Sequence, residues 1–476
     1  MPIIEVQCLQ NRCKLNMEKH TSDYAIRWRN FKGFKDTDWI KIKPITIIIG
    51  SNNAGKSSFL APLLLMNQTI TSNESTSPLI LSDKVYEGGN VKELINGFDL
   101  KKEFTFGFRY HIHETDGEPK KVGYYPPGAF EVTFKANNEI DREISVISET
   151  IYDLHNRPMV KLQKNRFGNY QLTGSSQTLT DDEKKAIKTS EPLNFLFSPN
   201  SLLLALQEVT GTFERNRKQK RMSTSFSNLL SDITVNFNAV RNTLGPISYL
   251  GPIREYPHRY YRLRNINYHT VGAKGENVPD IINKRTEIKT ELNEWVKKFC
   301  FGDTVEFRKF KGSNTMGSIV FKNKGERHYT NIANSGFGAS QILPLIIQAL
   351  VSPANRLTIA EQPEIHLNPK LQGVLAELFC FMAEKKQRVI IETHSEHMLL
   401  RLRRLVAAGF DKDKIALYFV EKKKGESTIR EIKIDQNGNV PSDEWPEDFF
   451  ADTLKESLAL ASQQSINRNK KKSKKK

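Results

Sequence analysis

A group of polar residues follows a short apolar run in the segment LTIAEQPEIHLNP, residues 357–369. Glu361 and Glu364 have side chains that can hold Mg²⁺ or accept a proton from water, whereas Gln362 can orient water but cannot act as a general base. A second apolar run lies in RVIIETHS, residues 388–395. His394 is near the end of this segment, where its imidazole could contact a phosphate or the attacking water. The residue types indicate phosphate chemistry in which either Glu361 or Glu364 could act as the general base.

A phosphate-binding loop is predicted at GSNNAGKS, which fits the pattern G-x-x-x-x-G-K-[ST]. It lies between the β-branched run ITIIIG and the helix-forming segment KSSFLAPLLLMNQTI, so backbone N–H groups and a helix N-terminus would face the phosphates. Lys56 would reach the β- and γ-phosphates, and the Ser57 hydroxyl would hold Mg²⁺. The predicted nucleotide-binding residues of this loop are Gly50, Asn52, Asn53, Ala54, Gly55, Lys56, Ser57 and Ser58.

The order of predicted strands and helices favours an α/β fold. Residues 24–50 have the pattern of two or three strands, residues 103–172 that of short alternating strands, and residues 181–245 that of helices. A hairpin is predicted over residues 304–323, and beyond residue 356 strands alternate with helices, as in a mostly parallel sheet. No internal repeat appears, and no heptads are long enough for a coiled-coil arm.

The charge of the chain is uneven. The formal net charge is +17, and the segment 214–221 and the lysine-rich tail 468–476 contribute much of it. Such blocks attract phosphate backbones by counterion release, although a solvated loop and a solvated tail are the alternative. We therefore expect non-specific contact with nucleic acid at these two segments.

Several classes of protein are excluded by composition. No apolar run approaches the roughly 18 residues that span a bilayer, so no membrane partner is expected. The first residues lack a long apolar stretch and a small-residue cleavage site, which argues against a signal peptide. The cysteines have neither metal-site nor disulfide spacing, which favours a reduced, cytoplasmic protein. They are Cys8, Cys13, Cys300 and Cys380.

Four motifs together resemble a known family. GSNNAGKSS, NSGFGASQILP, EQPEIHLNP and ETHSEHMLLRLRR occur in this order, as in the ABC-type ATPase heads of the SMC-like superfamily. The set is most similar to the OLD-like ATPases of prokaryotic anti-phage systems, such as the ATPase subunits of Septu, PARIS and retron-linked systems. The resemblance covers roughly residues 24–100 and 245–450. It implies ATP and Mg²⁺ as cofactors, and a homodimer or higher homo-oligomer in which paired heads sandwich the ATP.

The resemblance also implies roles for single residues. NSGFGASQ is similar to the ABC signature loop, which grips the ATP bound by a partner subunit, and EQPEIHLN aligns without a gap with D-E-P-x-x-x-L-D. Glu361 then replaces the usual Asp beside Mg²⁺, and Gln362 replaces the usual catalytic Glu. Gln68 is a candidate for the Q-loop glutamine. The implied nucleotide contacts outside the phosphate loop are Ser335, Gly336, Gly338, Gln341 and the D-loop residue Asn368, and the implied catalytic set is Glu361, Gln362, Glu364 and the switch histidine His394.

The resulting prediction is a P-loop ABC-type head with a mixed sheet and an inserted lobe of strands and helices. We expect the head to be split into an N-terminal part, a C-terminal part and a C-terminal α/β extension that ends in a basic tail. The predicted segments are 1–102 and 246–420 for the two parts of the head, 103–245 for the inserted lobe, 421–455 for the extension and 456–476 for the tail.

The resemblance predicts an ATP-driven switch that senses infection and controls a separate effector. No acidic cluster typical of a Toprim nuclease follows His394, and no H-N-H or paired-Cys nuclease motif appears elsewhere, so a nuclease activity would come from a partner chain. The alternatives are an SMC-like ATPase of DNA repair or chromosome maintenance, an ABC transporter subunit, and a nucleotide-binding module with little hydrolysis. Gln362 keeps the last of these open.

Overall fold

The computed structural model describes residues 24–73, 77–110, 127–137, 143–173, 178–211 and 222–441. Cys8, Cys13, the basic segment 214–221 and the tail 468–476 lie outside these ranges, so the predictions made for them are not addressed by the structure. No helix in the described ranges is both long enough and apolar enough to cross a membrane.

The described residues contain eighteen strands in three sheets. In chain order the strands are β1 (Tyr24–Phe31), β2 (Phe34–Asp36), β3 (Ile40–Ile42), β4 (Ile45–Gly50), β5 (Phe104–Arg109), β6 (Pro127–Ala136), β7 (Ile144–Asp153), β8 (Pro158–Lys164), β9 (Tyr170–Thr173), β10 (Ser248–Leu250), β11 (Tyr261–Arg262), β12 (Thr304–Lys309), β13 (Met316–Lys322), β14 (Thr330–Asn331), β15 (Leu357–Glu361), β16 (Arg388–Glu392), β17 (Ile415–Lys423) and β18 (Glu426–Ile432).

Ten α-helices accompany these strands in the described part of the chain. They are α1 (Lys56–Thr71), α2 (Val91–Leu94), α3 (Asp181–Thr189), α4 (Pro199–Thr210), α5 (Thr224–Leu244), α6 (Val278–Lys284), α7 (Lys289–Lys298), α8 (Phe337–Val351), α9 (Pro369–Glu384) and α10 (Glu396–Ala407). The helices predicted after the phosphate loop, over residues 181–245 and beyond residue 356 are confirmed.

The central sheet has the strand order β10–β15–β16–β4–β17–β18. All neighbours are parallel except the β17–β18 hairpin, which confirms the predicted mixed α/β sheet. All six residues of β4 are buried. Alternate residues of β4 enter opposite cores, with Ile47 and Ile49 in one cluster and Ile48 in the other, because side chains in a strand alternate between the two faces.

An antiparallel sheet of eight strands packs against one face of the central sheet. Its order is β2–β1–β5–β6–β7–β8–β9, with β3 paired to β1. The strands predicted over residues 103–172 are confirmed, whereas residues 24–50 hold four strands rather than two or three, because β2 and β3 are three-residue strands. The far end of this sheet packs with α3, α4 and α5 around a separate apolar cluster, and α5 returns to α1, where Asn67 donates to the carbonyl of Leu244.

A small sheet, β11–β13–β12 with β14 on β13, leads into the segment that contains NSGFGASQ. Its β12–β13 hairpin was predicted and is confirmed. A 3₁₀ turn, Ile332–Asn334, connects β14 to α8. The phosphate loop therefore follows β4 of the central sheet and leads into α1, whereas the signature-like loop follows β14 of the small sheet and leads into α8.

Candidate active site

The phosphate loop runs from the end of β4 into α1. Gly55 immediately before α1 has φ 108°, a conformation that favours glycine, and a Cβ on Gly50 would collide with the carbonyl oxygen of Val420. The Lys56 ammonium is buried and donates to the carbonyl oxygens of Gly50 at 3.0 Å and Ser51 at 2.9 Å. Burial lowers the pKa of Lys56, and the charges of nearby carboxylates oppose this shift. The loop thus encloses its lysine beside acidic groups.

The remaining residues of the loop differ in exposure. Asn52 and Asn53 are exposed, Ala54 is buried, and Ser58 is half-buried. Asn53 has φ 60°, a region that asparagine tolerates better than most residues. The two asparagines are therefore accessible, as are the exposed Ser51 and Ser57 of the same loop.

Ser57 on the first turn of α1 contacts a carboxylate that sequence reasoning missed. Its hydroxyl lies 2.9 Å and 3.1 Å from the two oxygens of Glu392, the last residue of β16. Burial raises the pKa of Glu392, whereas the Ser57 hydrogen bond and the Lys56 charge oppose the shift. The signal in the sequence was available: Glu392 follows a buried apolar run just as Glu361 does.

Glu361 and Glu392 end adjacent parallel strands and are register partners. The hydroxyl of Tyr249 donates to Glu361 Oε1 at 3.1 Å. Burial and the neighbouring Glu392 charge raise the pKa of Glu361 to about 7, although the Tyr249 bond acts in the opposite direction. Two buried carboxylates thus meet at the carboxyl edge of the sheet, next to the phosphate loop.

A tight turn after β15 returns Glu364 to this edge. Gln362, half-buried with φ 43°, donates its backbone N–H to the carbonyl oxygen of Glu392 at 2.7 Å. Glu364 Oε1 accepts the backbone N–H of His394 at 2.7 Å, while its buried Oε2 has no partner. Burial raises the pKa of Glu364, and the His394 N–H is the largest opposing influence. The structure therefore brings together all four residues of the predicted catalytic set.

Arg254 is a second residue to which the sequence assigned no role. Its side chain is 1% exposed, and Nη2 donates to the backbone carbonyl oxygen of Glu361 at 3.3 Å. Its Nε and Nη1 are buried without a partner. Burial lowers the pKa of Arg254 to about 10, and the charge of Glu364 opposes the shift. No periodicity or motif signals this contact, because Arg254 belongs to a segment of irregular structure.

The signature-like loop and the segment after Glu364 form a second cluster. Gly336, with φ 87°, is exposed directly before α8, and a Cβ on Gly338 would lie 2.9 Å from the carbonyl oxygen of His366. The rings of Phe337 and His366 meet edge to face at 4.5 Å. The loop at the start of α8 is therefore packed directly on the predicted D-loop.

The other predicted residues of this cluster have local partners. Ser335 is half-buried, and its hydroxyl donates to the carbonyl oxygen of Ile332 at 2.8 Å. Asn368 is exposed and caps α9 by accepting the N–H of Leu371 at 3.0 Å. Gln341 is buried within α8. Of these three, Ser335 and Asn368 have side chains that are open to a ligand.

Gln68, the candidate for the Q-loop glutamine, is fully buried in α1. Its Nε2 donates to the carbonyl oxygen of Ile80 at 2.7 Å, and its Oε1 accepts the backbone N–H of Tyr86 at 3.1 Å. Both ends of the Gln68 amide thus form hydrogen bonds with the backbone of the segment that follows α1.

The oxygen donors at the sheet edge are suited to Mg²⁺, which phosphates and water also coordinate, rather than to a metal ion that is coordinated by protein side chains alone. In the described ranges, no three His, Cys, Asp or Glu side chains are grouped to hold a metal ion. Mg²⁺ is commonly bound by one or two carboxylates together with substrate phosphates and water. Ser57, Glu361 and Glu392 supply hard oxygen donors of this kind next to the phosphate loop.

Comparison with known proteins agrees with this architecture. The family model for the AAA ATPase domain, AAA_15, matches residues 25–399. The chain belongs to this AAA ATPase family. A second model, of a protein family of unknown function (DUF3696), matches residues 411–460 of this AAA ATPase. No match was found among curated proteins.

Three solved SMC heads are similar to this AAA ATPase at low identity. A head bound to the C-winged helix domain of ScpA aligns with 14% identity over 87% of this chain and 98% of its own, with a TM-score of 0.42. The SMC head domain from Thermotoga maritima has 10% identity over 86% and 98% of the two chains, with a TM-score of 0.36. A Pyrococcus furiosus head with an extended coiled coil, bound to the C-terminal domain of ScpA, has 14% identity over 86% and 96%, also with a TM-score of 0.36. These TM-scores are below 0.5, so the family assignment depends on the AAA ATPase match.

Proposed function

We propose that this chain is a Mg²⁺-dependent ATPase that works as an ATP-driven switch. The observation that carries the proposal is the contact of the Ser57 hydroxyl with Glu392, beside the register partner Glu361. It joins the start of the helix after the phosphate loop to two carboxylates at the ends of neighbouring strands. A metal and a nucleotide triphosphate would both be bound at that junction.

The metal site in this proposal consists of Ser57, Glu361 and Glu392. When Mg²⁺ binds, the Ser57 hydroxyl would turn from Glu392 to the cation. The positive charge of the cation would reduce the electrostatic repulsion between Glu361 and Glu392. Mg²⁺ neutralises charge on the phosphates when it is bound. Lys56 would leave the carbonyl oxygens of its own loop for the β- and γ-phosphates, because phosphate oxygens are charged acceptors and carbonyl oxygens are not.

Glu364 is the proposed general base. Its Oε1 is fixed by the His394 N–H, whereas its Oε2 has no partner and is free to accept a proton from water. Gln362 would orient that water through its amide, since it cannot take the proton itself. The His394 side chain, half-buried at the same edge, would contact the γ-phosphate. The absence of an acid at position 362 is thereby offset by the turn that returns Glu364.

The switch in this proposal is a homodimer or higher homo-oligomer in which the signature loop of one head contacts the ATP of another. The exposed Gly336 precedes a 15-residue helix, whose N-terminal N–H groups favour an anion. Ser335 would add a hydroxyl donor. The resemblance of NSGFGASQ to an ABC signature loop supports this arrangement.

Sedimentation velocity with ATP and Mg²⁺ tests the proposal. A base-deficient Glu364→Gln variant should accumulate an ATP-bound dimer, and Ser335→Arg should remain monomeric while it still binds ATP. Ser201→Arg, at a half-buried serine on α4, is the control. A dimer that forms equally well with Ser335→Arg would contradict the sandwich, and loss of ATP binding by Glu364→Gln would contradict its role as base.

The proposed biological role is anti-phage defence through a separate effector, for which a nuclease is the favoured class. It is supported by the resemblance of the four ordered motifs to OLD-like ATPases. Purification from the native operon, with mass analysis of bound proteins, tests it directly. A co-purifying nuclease supports the role, whereas a partner of chromosome maintenance would favour the SMC-like alternative.

A further inference from the structure

The small sheet presents basic and aromatic side chains on its outward face. In the antiparallel register, Arg262 of β11 lies opposite Met316 of β13, and Arg308 of β12 lies opposite Ser318. Side chains two residues apart on β13 share a face, so Arg262 and Arg308 project to the same side. The opposite face of this sheet, with Ile319 among its side chains, belongs to the hydrophobic core.

Aromatic rings complete this surface. The Tyr329 ring has the Arg308 guanidinium 4.2 Å and the Lys322 ammonium 5.1 Å from its centroid. Phe310 continues β12, donates its backbone N–H to Met316, and has a side chain that is 45% exposed. We define the basic-aromatic face as Arg262, Arg308, Phe310, Lys322 and Tyr329.

The cations of this face lack ion-pair partners in the described part of the chain. Within the described ranges, Arg262, Arg308 and Lys322 form no ion pair. One acid, Glu306, belongs to the same row of β12. Exposed neighbours extend the basic and aromatic character along the rim, namely Arg259, Tyr260, Arg264, Lys309 and Lys311.

We propose that the basic-aromatic face binds a single nucleic-acid strand. Arginine and lysine side chains would contact the phosphates, and the exposed Phe310 ring would stack on an unpaired base, which is the combination that single-strand-binding proteins use. Rings are of little use to a partner that offers only carboxylates, so this composition favours a nucleic acid over an acidic protein. In the sequence, the residues of this face lie outside the basic segments 214–221 and 468–476.

The same face is joined to the signature-like loop through one residue. Asn331 of β14 lies opposite Val320 in the register, and its Nδ2 donates to the carbonyl oxygen of Arg259 at 2.8 Å. Its Oδ1 accepts the N–H of Ala333 in the 3₁₀ turn that ends before Ser335. A strand bound at the rim would therefore act on the loop that is proposed to contact the partner's ATP.

Fluorescence anisotropy with labelled 20-mers of deoxythymidine and of uridine tests the binding on the full chain without ATP. Arg262→Glu/Arg308→Glu should weaken binding about tenfold and reduce the salt slope by ~1.4, because each phosphate contact on a single strand contributes ~0.7. Lys185→Glu/Lys188→Glu, two exposed lysines on α3, changes the net charge equally and should leave both values unchanged. The two 20-mers distinguish DNA from RNA.

Phe310→Ala tests the stacking separately, since it removes a ring and no charge. It should weaken binding to the 20-mers several-fold without changing the salt slope. Unchanged affinity and salt slope in the arginine double variant would overturn the proposal, as would tighter binding of duplex than of single strand, or binding of polyglutamate as tight as that of the strands. Thermal melting of each variant shows that the fold is intact.

The link to the signature-like loop rests on the proposed ATPase function and has its own test. Asn331→Ala should leave strand affinity within about twofold, while it removes any change in ATPase rate that the strand causes in the parent. If the strand binds and does not alter the parent rate, the coupling is wrong and the binding face stands. If ATP hydrolysis is absent altogether, the proposed function fails, whereas the anisotropy result is unaffected.

Discussion

Glu361 and Glu392 stand directly opposite each other at the carboxyl ends of β15 and β16. Their side chains are only 7% and 3% exposed, and burial raises the pKa of each carboxyl. Two buried carboxylates in neighbouring positions are compatible only when a proton or a cation compensates their charge. The pair therefore makes this edge of the sheet a place where the binding of Mg²⁺ would lower the electrostatic free energy.

The first prediction separates the roles of the acids. Glu364→Ala is expected to lower kcat by ~10²-fold, as loss of a general base does, and Glu361→Ala to lower it further because it also removes a metal ligand. Initial rates of phosphate release at varied Mg²⁺ check this, with the exposed acid Glu294 on α7 replaced by Ala as control. If kcat falls further in Glu364→Ala than in Glu361→Ala, Glu364 and not Glu361 is the more important catalytic acid.

The second prediction concerns Lys56. Lys56→Ala should abolish detectable ATP binding, because hydrogen bonds to a charged group contribute about 1.5–3 kcal/mol each. Isothermal titration calorimetry with ATP measures the loss, and Lys92→Ala, an exposed lysine on α2, provides the control. Normal ATP affinity in Lys56→Ala would contradict the assignment of the phosphate loop.

The third prediction assigns Arg254 a positioning role. Arg254→Met should lower kcat about tenfold and leave KM within about twofold, since its guanidinium contacts the backbone of Glu361 rather than an ATP-binding residue of the loop. Arg254→Lys should restore part of kcat because it keeps the positive charge near Glu364. If Arg254→Lys lowers kcat as much as Arg254→Met does, and both variants lower the melting temperature by the same amount, the residue is purely structural.

The fourth prediction is a dependence of stability on pH that arises from the buried Glu149 of β7. Glu149 accepts hydrogen bonds from the Phe197 N–H and from Asn236 Nδ2, and burial raises its pKa from 4.5 to about 8. Between these two pH values the folded state keeps a proton on Glu149 that the unfolded state has released. The contribution of Glu149 to stability is therefore fully present below pH 4.5 and is lost as pH rises to about 8.

Urea unfolding at pH 5, 7 and 9 measures this dependence. The contribution is on the order of 1 kcal/mol per pH unit within the window. Glu149→Gln should reduce the slope, because the glutamine amide does not titrate in this range. An identical slope in parent and variant would show that Glu149 is ionised throughout.

The fifth prediction concerns the packing of the β17–β18 hairpin behind the phosphate loop. A Cβ at Gly33 would collide with the Ser427 hydroxyl, and one at Gly55 would lie 2.8 Å from the same atom. Gly33→Ala should therefore destabilise the protein by about 1–3 kcal/mol, and Ser427→Ala should offset part of the loss. A double-mutant cycle measured by urea unfolding tests this, and strict additivity would contradict the contact.

The local motifs were predictable because their physics is local. A β-branched run followed by GSNNAGKS specifies a strand, a tight loop and a helix within about two dozen residues, and the structure has β4 and α1 there. The alternation of β15, α9, β16 and α10 was readable for the same reason. The return of Glu364 was harder to predict, because it depends on a left-handed backbone conformation at Gln362, which a glutamine does not signal.

The sequence by itself determined the phosphate loop, the α/β alternation and the residue types available for chemistry, since propensity, periodicity and motif spacing act over short stretches of chain. Only the tertiary structure decided which of these residues meet. Ser57 and Glu392 are 335 positions apart, and Arg254 and Glu361 are 107 apart. Their contacts follow from the strand order β15–β16–β4 and from the course of an irregular segment, and no short-range pattern encodes either of these.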